Sequence, residues 1–179
     1  AGRVDDERAR SLLEESAQDG NALSVMWLAR VYSTGRMTFP PNKEKAIQLA
    51  TTVIDEIEKL ANEEHSEAML LLGTAYAEGL AKPIDAELAV VWYRKAAAKN
   101  NTLALHNLGN VYASGTGVPQ NEELAVSWWR QAAQKGDAIP QLRLGTVYEE
   151  GTGVEQDLQE AIRWYEESAS RGNQAAAAA

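Results

Sequence analysis

The sequence predicts an all-α fold, a solenoid of stacked antiparallel helix pairs. Three observations predict it. The chain repeats itself: LLLGTAYAEG from Leu70, HNLGNVYASG from His106 and LRLGTVYEEG from Leu142 place Gly73, Gly109 and Gly145 at a period of 36 residues, since 109 − 73 and 145 − 109 agree. Apolar residues recur at helical spacing within each repeat, and strand-like alternation is absent. Glycine, proline and Asn or Asp then punctuate the repeats where helices should stop and restart.

Taken in order, the elements begin half-way through a unit. ARSLLEESAQDG (Ala9 to Gly20) matches only the second block of later repeats, giving a half unit over 4–20, with the acidic Asp5-Asp6-Glu7 suited to a helix start. LARVYSTG (Leu28 to Gly35) and AIQLATTVIDEIEKL (Ala46 to Leu60) form the helices of a longer unit, 21–64. Its surplus lies between Leu49 and Glu64, so its second helix should run about two turns longer. Units 65–100, 101–136 and 137–173 follow, each pairing a glycine block with AVVWYRKAAAKN from Ala89, AVSWWRQAAQKG from Ala125 or AIRWYEESASRG from Ala161. In the first kind of helix Ala104, Leu108 and Tyr112 make one apolar stripe; in the second, Ala125, Trp128, Trp129 and Ala132 do. Residues 4–173 thus read as a single repeat domain, and the alanine-rich tail 174–179 carries no side-chain information.

The turns carry their own signals. Gly115 and Gly117 supply helix-ending conformations, Pro119 blocks continuation, and Asn121 or Asp157 caps the next helix. Asp137 caps another, with Pro140 in its first turn, where a missing N–H costs nothing. GTGV occurs at Gly115 and again at Gly151. It lacks the Lys-Ser/Thr of a phosphate loop and the strand that precedes a dinucleotide loop, so it reads as a turn between helices.

The pattern Ala-x3-Leu-Gly-x2-Tyr-x2-Gly-x-Gly-Val-x2-Asn-x3-Ala-x2-Trp-Trp-x2-Ala-Ala-x2-Gly, from Ala104 to Gly136, resembles the Sel1-like repeat, a relative of the tetratricopeptide repeat. The resemblance covers nearly the whole chain. It implies a right-handed α-solenoid and a scaffold or adaptor that assembles protein complexes. It also implies that the first helix of each unit lines a concave face, exposing the residue after the glycine, the one three before it and those four or five after. Those positions are Met26, Arg30, Ser33 and Thr34; Leu70, Thr74, Ala77 and Glu78; His106, Asn110, Ala113 and Ser114; and Leu142, Thr146, Glu149 and Glu150. The first full unit departs from the pattern, with Ala29 for the glycine, Leu49 for the tryptophan and no Gly-x-Gly in STGRMTFPPN; the second has Ala81 and Lys82-Pro83 in its turn. More narrowly, Glu15 to Gly35 resembles a segment of the C-terminal repeats of elongation factor 2 kinase, which implies the alternative of a substrate-docking domain within a larger enzyme.

Composition removes other functions. A net charge of −9, from 26 acidic and 17 basic residues, disfavours nucleic acid and anionic membranes. No apolar run approaches the roughly 20 residues of a membrane span. The start, AGRVDDERAR, is charged where a signal peptide is apolar, so the expectation is either a cytosolic chain or a targeting segment outside this sequence. With no Cys there is neither disulfide nor thiolate site, which suits the cytoplasm. The two histidines, His65 and His106, lie in different repeats, and adjacent carboxylates such as Glu149–Glu150 and Glu166–Glu167 diverge on a helix. No catalytic residue, cofactor or metal site is expected. Trp92, Trp128, Trp129 and Trp164 fall on the apolar stripe and are assigned to the core, while Trp27 has no counterpart and is either a core filler or a contact residue. Asn110 stands where the tetratricopeptide carboxylate clamp has an Asn, but Thr74 and Thr146 flank it in place of basic partners, so no clamp is expected. The expected function is a non-enzymatic module binding a peptide or protein on its concave face. End-to-end self-association is the structural alternative, because solenoid ends expose apolar faces that neighbouring repeats cover.

Overall fold

The structure, a computed structural model, describes residues 2–35, 39–173 and 176. The Asp5-Asp6 side chains, the middle of the STGRMTFPPN turn and all of the alanine-rich tail but Ala176 lie outside this description. Among the described residues the chain forms nine α-helices and no strand: α1 (Gly2–Gln18), α2 (Ala22–Thr34), α3 (Lys43–Asn62), α4 (Ser66–Glu78), α5 (Ala86–Ala98), α6 (Thr102–Ser114), α7 (Glu122–Gln134), α8 (Ala138–Glu150) and α9 (Leu158–Ser170). The fold is the expected all-α solenoid of stacked antiparallel pairs. At 20 residues against 13 for its counterparts, α3 is longer by the two turns anticipated. Among the described residues no helix is long and apolar enough to cross a membrane.

The helix ends form for the reasons read from the punctuation. Asn121 Oδ1 accepts from the Leu124 N–H at 2.9 Å, Asp157 Oδ1 from Glu160 N–H at 3.0 Å, and Asp137 Oδ1 from Ile139 N–H at 3.1 Å, with Pro140 in the first turn of α8. Gly115 ends α6 at φ 71°, in the left-handed region, and the N–H groups of Gly115 and Thr116 both return to the Val111 carbonyl. These two amides are thus occupied within the turn that ends α6.

One bond recurs at every hairpin. The N–H of the capping residue donates to the carbonyl of the tyrosine three residues after the glycine position: Asn42 to Tyr32, Asp85 to Tyr76, Asn121 to Tyr112 and Asp157 to Tyr148, at 2.7 to 3.0 Å. It pins the start of the second helix against the last turn of the first. In α4–α5, α6–α7 and α8–α9 the loop between them therefore acts as a fixed staple.

Backbone packing groups the chain into residues 1–96 and 97–179. In the first group α2 packs on α1, α3 and α4, and α3 also packs on α4; in the second, α6 packs on α7, α7 on α8 and α8 on α9. Within both groups the glycines have a packing function. A Cβ at Gly73 would stand 2.8 Å from the Tyr93 ring, and one at Gly109 or Gly145 would collide with the ring of Trp129 or Tyr165. Each glycine thus receives an aromatic ring from its partner helix. In α2–α3 the pair is replaced on both sides: Ala29 stands for the glycine and Ala50 for the ring, and both are fully buried. Phe39 fills space beside them, edge-on to Tyr32 at 4.8 Å between centroids.

The tryptophan assignment is corrected in part. Trp129 and Trp164 are buried, but Trp92 and Trp128 are only half-buried. Adjacent aromatics on a helix point about 100° apart, so in a Trp-Tyr or Trp-Trp pair only one ring can enter the glycine seam. Trp92 instead lies under the Lys95 ammonium, 3.9 Å from the ring centroid.

Candidate partner-binding face

The rings seated on the glycines end in polar atoms, and each reaches the residue just after its glycine. Tyr93 Oη donates to Thr74 Oγ1 at 3.4 Å and Trp129 Nε1 to Asn110 Oδ1 at 3.2 Å, while Tyr165 Oη lies 3.5 Å from Thr146 Oγ1. Three of the expected contact residues are therefore fixed from behind by the second helix of their own hairpin. Tyr165 Oη also lies 2.6 Å from Glu149 Oε2. Burial first, and the hydrogen bond to Glu149 second, hold this phenol's pKa above its ordinary value.

Five of the twelve principal candidates are not surface residues. Met26, Arg30, Leu70, Thr74 and His106 are buried. Arg30 pairs with Glu78, Nε to Oε1 at 3.7 Å, and lies over the Trp27 ring, whose Nε1 donates to Glu67 at 2.5 Å. Two expected contact residues thus neutralise each other, and Trp27 ties α2 to α4. His106 Nδ1 lies 3.3 Å from Asp137 Oδ2, joining α6 to the cap of α8. Glu78, Asn110, Leu142 and Thr146 are half-buried, while Thr34, Ser114 and Glu149 are exposed.

The error has a geometric cause. A helix turns about 100° per residue, so the position three before the glycine lies on the glycine's own side, the side given to the seam. The position two before it lies near the opposite side, with those one and five after. In 97–179 that open strip consists of Asn107, Asn110 and Ser114 on α6 and Arg143, Thr146 and Glu150 on α8. Asn107 and Arg143 were missed, and a helical wheel anchored on the glycine would have found them.

The strip contains a cleft of about 380 Å³ lined by Asn110, Ala113, Ser114, Trp129 and Arg143. Arg143 is exposed and, among the described residues, has no hydrogen bond or ion pair. Trp129 N–H can only donate, so it must meet Asn110 Oδ1, which leaves the Asn110 NH₂ donors unengaged among the described residues. Ala113 and Trp129 also border a smaller apolar slot of about 140 Å³, completed by Ala125, Val126 and Val147 with Glu122 and Thr152 at its rim. Among the described residues no three His, Asp or Glu side chains gather as metal ligands.

The Sel1 repeat model matches residues 2–21, 22–51, 66–101, 102–137 and 141–173. The chain belongs to the Sel1 repeat family. Repeats of this family are in general protein-interaction modules. Among solved structures, a Sel1 repeat protein from Oxalobacter formigenes is 34% identical with a TM-score of 0.64, over 69% of this chain and 92% of that one. A protective antigen present in uropathogenic Escherichia coli strains, displaying the same repeat fold, is 26% identical with a TM-score of 0.68, over 94% of this chain. The chain spans only 34% of that antigen's length. Cysteine-rich protein B of Helicobacter pylori shares the fold at 20% identity and a TM-score of 0.58, over 72% of this chain and 92% of that one. Among curated proteins there is no significant match.

The Sel1 match clarifies the irregular unit. The model leaves residues 52–65 between its second and third matches, which is where α3 carries its additional turns. A Sel1 hairpin with Ala29 and Ala50 at the seam keeps its inner helix but supplies no ring to hold the residue after Ala29, and that residue, Arg30, turns to Glu78 instead.

Proposed function

We propose that this chain is a non-enzymatic Sel1 adaptor module that holds a protein partner, as an extended segment, along the inner helices α6 and α8. The observation that carries this reading is the cleft, where an arginine with no ion pair among the described residues, an asparagine oriented by Trp129 and an aromatic wall meet on the open strip. A buried aromatic beside polar groups of settled orientation is the composition expected of a recognition surface. The test is site-specific photo-crosslinking in a lysate of the native host. A benzophenone side chain at Ser114, on the inner strip, should yield partner adducts; one at the exposed Ser127, on α7, should not. Adducts from Ser127 alone would overturn the reading.

A second reading is end-to-end association. On α9, Leu158 and Ile162 stand one turn apart and are 58% and 57% exposed, an apolar pair left uncovered among the described residues. Light scattering over a dilution series would show a concentration-dependent mass, abolished in Ile162→Glu; a monomer at all concentrations would end this reading.

A further inference from the structure

The geometry points to the chemistry of the bound segment: an extended peptide that presents an acidic side chain to Arg143 and Asn110 and, two residues away, an aliphatic side chain to the slot beside Val147. This rests on the reading of α6 and α8 as the partner-binding helices. Arg143 and the Asn110 NH₂ are both donors, and neither is engaged among the described residues. A carboxylate satisfies both at once, and its hydrogen bonds to a guanidinium are charge-assisted. Among the described residues Arg143 is the one cation lining the cleft, in a chain whose net charge is −9. The net charge therefore disfavours acidic ligands in general, and Arg143 offsets it locally at the cleft. Such an arrangement selects by position.

The slot supplies the second half of the motif. At about 140 Å³ and bordered mainly by Ala113, Ala125, Val126, Trp129 and Val147, it matches one apolar side chain; an apolar void of about 150 Å³ holds a benzene-sized group. It shares Ala113 and Trp129 with the cleft, so a single segment can reach both. In an extended chain, side chains two residues apart point the same way, and two is the shortest spacing that presents both to one surface. At the far edge, Glu122 and Glu123 sit with Gln120 around an open hollow, where a second acidic residue would be repelled.

The experiment uses an array of fluorescent heptapeptides, acetylated and amidated so that neither end is charged. The central residue is Glu, Gln or Lys, and Val or Ser stands two residues before or after it in a Gly/Ser background. Binding is read by anisotropy. The expected result is that Glu with Val two residues away binds best, and that Gln in place of Glu weakens binding about 10-fold or more, the order of a hydrogen bond to a charged group. Arg143→Glu, an exposed substitution that should leave the circular dichroism unchanged, is expected to invert the central preference from Glu to Lys. Equal binding of Glu and Gln, an unchanged ranking in Arg143→Glu, or no binding by any member would overturn the inference. So would binding only by an uncapped peptide whose sole carboxylate is its C-terminus. Crosslinking at Ser114 together with a failed array would sink the acidic motif alone, whereas failure of both would sink the binding face as well.

Discussion

The hairpins α2–α3 and α6–α7 solve one packing problem in two ways. In α6–α7 the inner helix gives up its Cβ at Gly109 so that the Trp129 ring can lie against the backbone. In α2–α3 both sides take an intermediate volume, Ala29 facing a partner helix that carries Ala50 at the ring position. The seam closes in either case, but the surfaces that result differ. Only the ring brings a polar atom through to the inner side, where Trp129 Nε1 holds Asn110 and its face walls the cleft. Without a ring, the residue after the seam, Arg30, is buried and paired with Glu78. The glycine–aromatic pair is thus a packing device that, in α6–α7, also orients Asn110 at the cleft proposed above to take a partner.

The largest test of this comparison removes the ring. Trp129→Ala should cost about 3–5 kcal/mol in denaturant unfolding, from lost burial and a residual cavity. The second-largest effect probes the pairing itself. Gly109→Ala alone should cost about 1–3 kcal/mol, because the new Cβ collides with the ring and the overpacking outweighs the gain in helix propensity. In the Trp129→Ala background the same change should become favourable by about 1 kcal/mol, since the double variant copies the Ala29–Ala50 seam. An equal cost in both backgrounds would break the proposed equivalence of the two hairpins.

How much of this was legible depends on what each feature needs. The period, the caps at Asn121, Asp137 and Asp157, the left-handed ending at Gly115 and the two extra turns of α3 follow from local chemistry, and local chemistry is written in order along the chain. The open strip was legible only once the direction of the glycine was known. Counting three residues back from it selected Met26, Leu70 and His106, which are buried, and Leu142, which is half-buried; counting two back selects the exposed Arg143 on α8 but the buried Leu71 on α4. Pairings such as Trp27 with Glu67 and Arg30 with Glu78 join residues 40 and 48 positions apart, in different repeats. No spacing rule inside a repeat could have announced them.

A smaller effect sharpens the comparison between turns. Ala81 adopts φ 57° where Gly117 and Gly153 adopt 74° and 69° in the corresponding turns. A side chain in the left-handed region costs about 1–2 kcal/mol, part of which a glycine gives back in chain entropy. Ala81→Gly should therefore raise stability by about 0.5–1 kcal/mol, while Gly117→Ala should lower it by a similar amount. Glu64, at φ 65° where later repeats have Gly136 and Gly172, predicts a gain of the same size for Glu64→Gly.

The smallest effect separates two rings at one register. Trp129 has no proton to lose, whereas Tyr165 does, and its pKa is held above the ordinary 10.0 by burial and then by the hydrogen bond to Glu149. A pKa raised on folding means that the folded state keeps the proton longer than the unfolded chain. The associated stability is complete below about pH 10, the unfolded value, and is lost as pH rises through the folded one. Alkaline titration should accordingly loosen α8–α9 before α6–α7, as read by phenolate absorbance beside amide exchange in each hairpin. Glu149→Gln should lower the Tyr165 transition only part of the way, because the larger cause, burial, remains. If the transition fell fully to the value of an exposed tyrosine, the ring would not be seated on Gly145 as tightly as Trp129 is on Gly109.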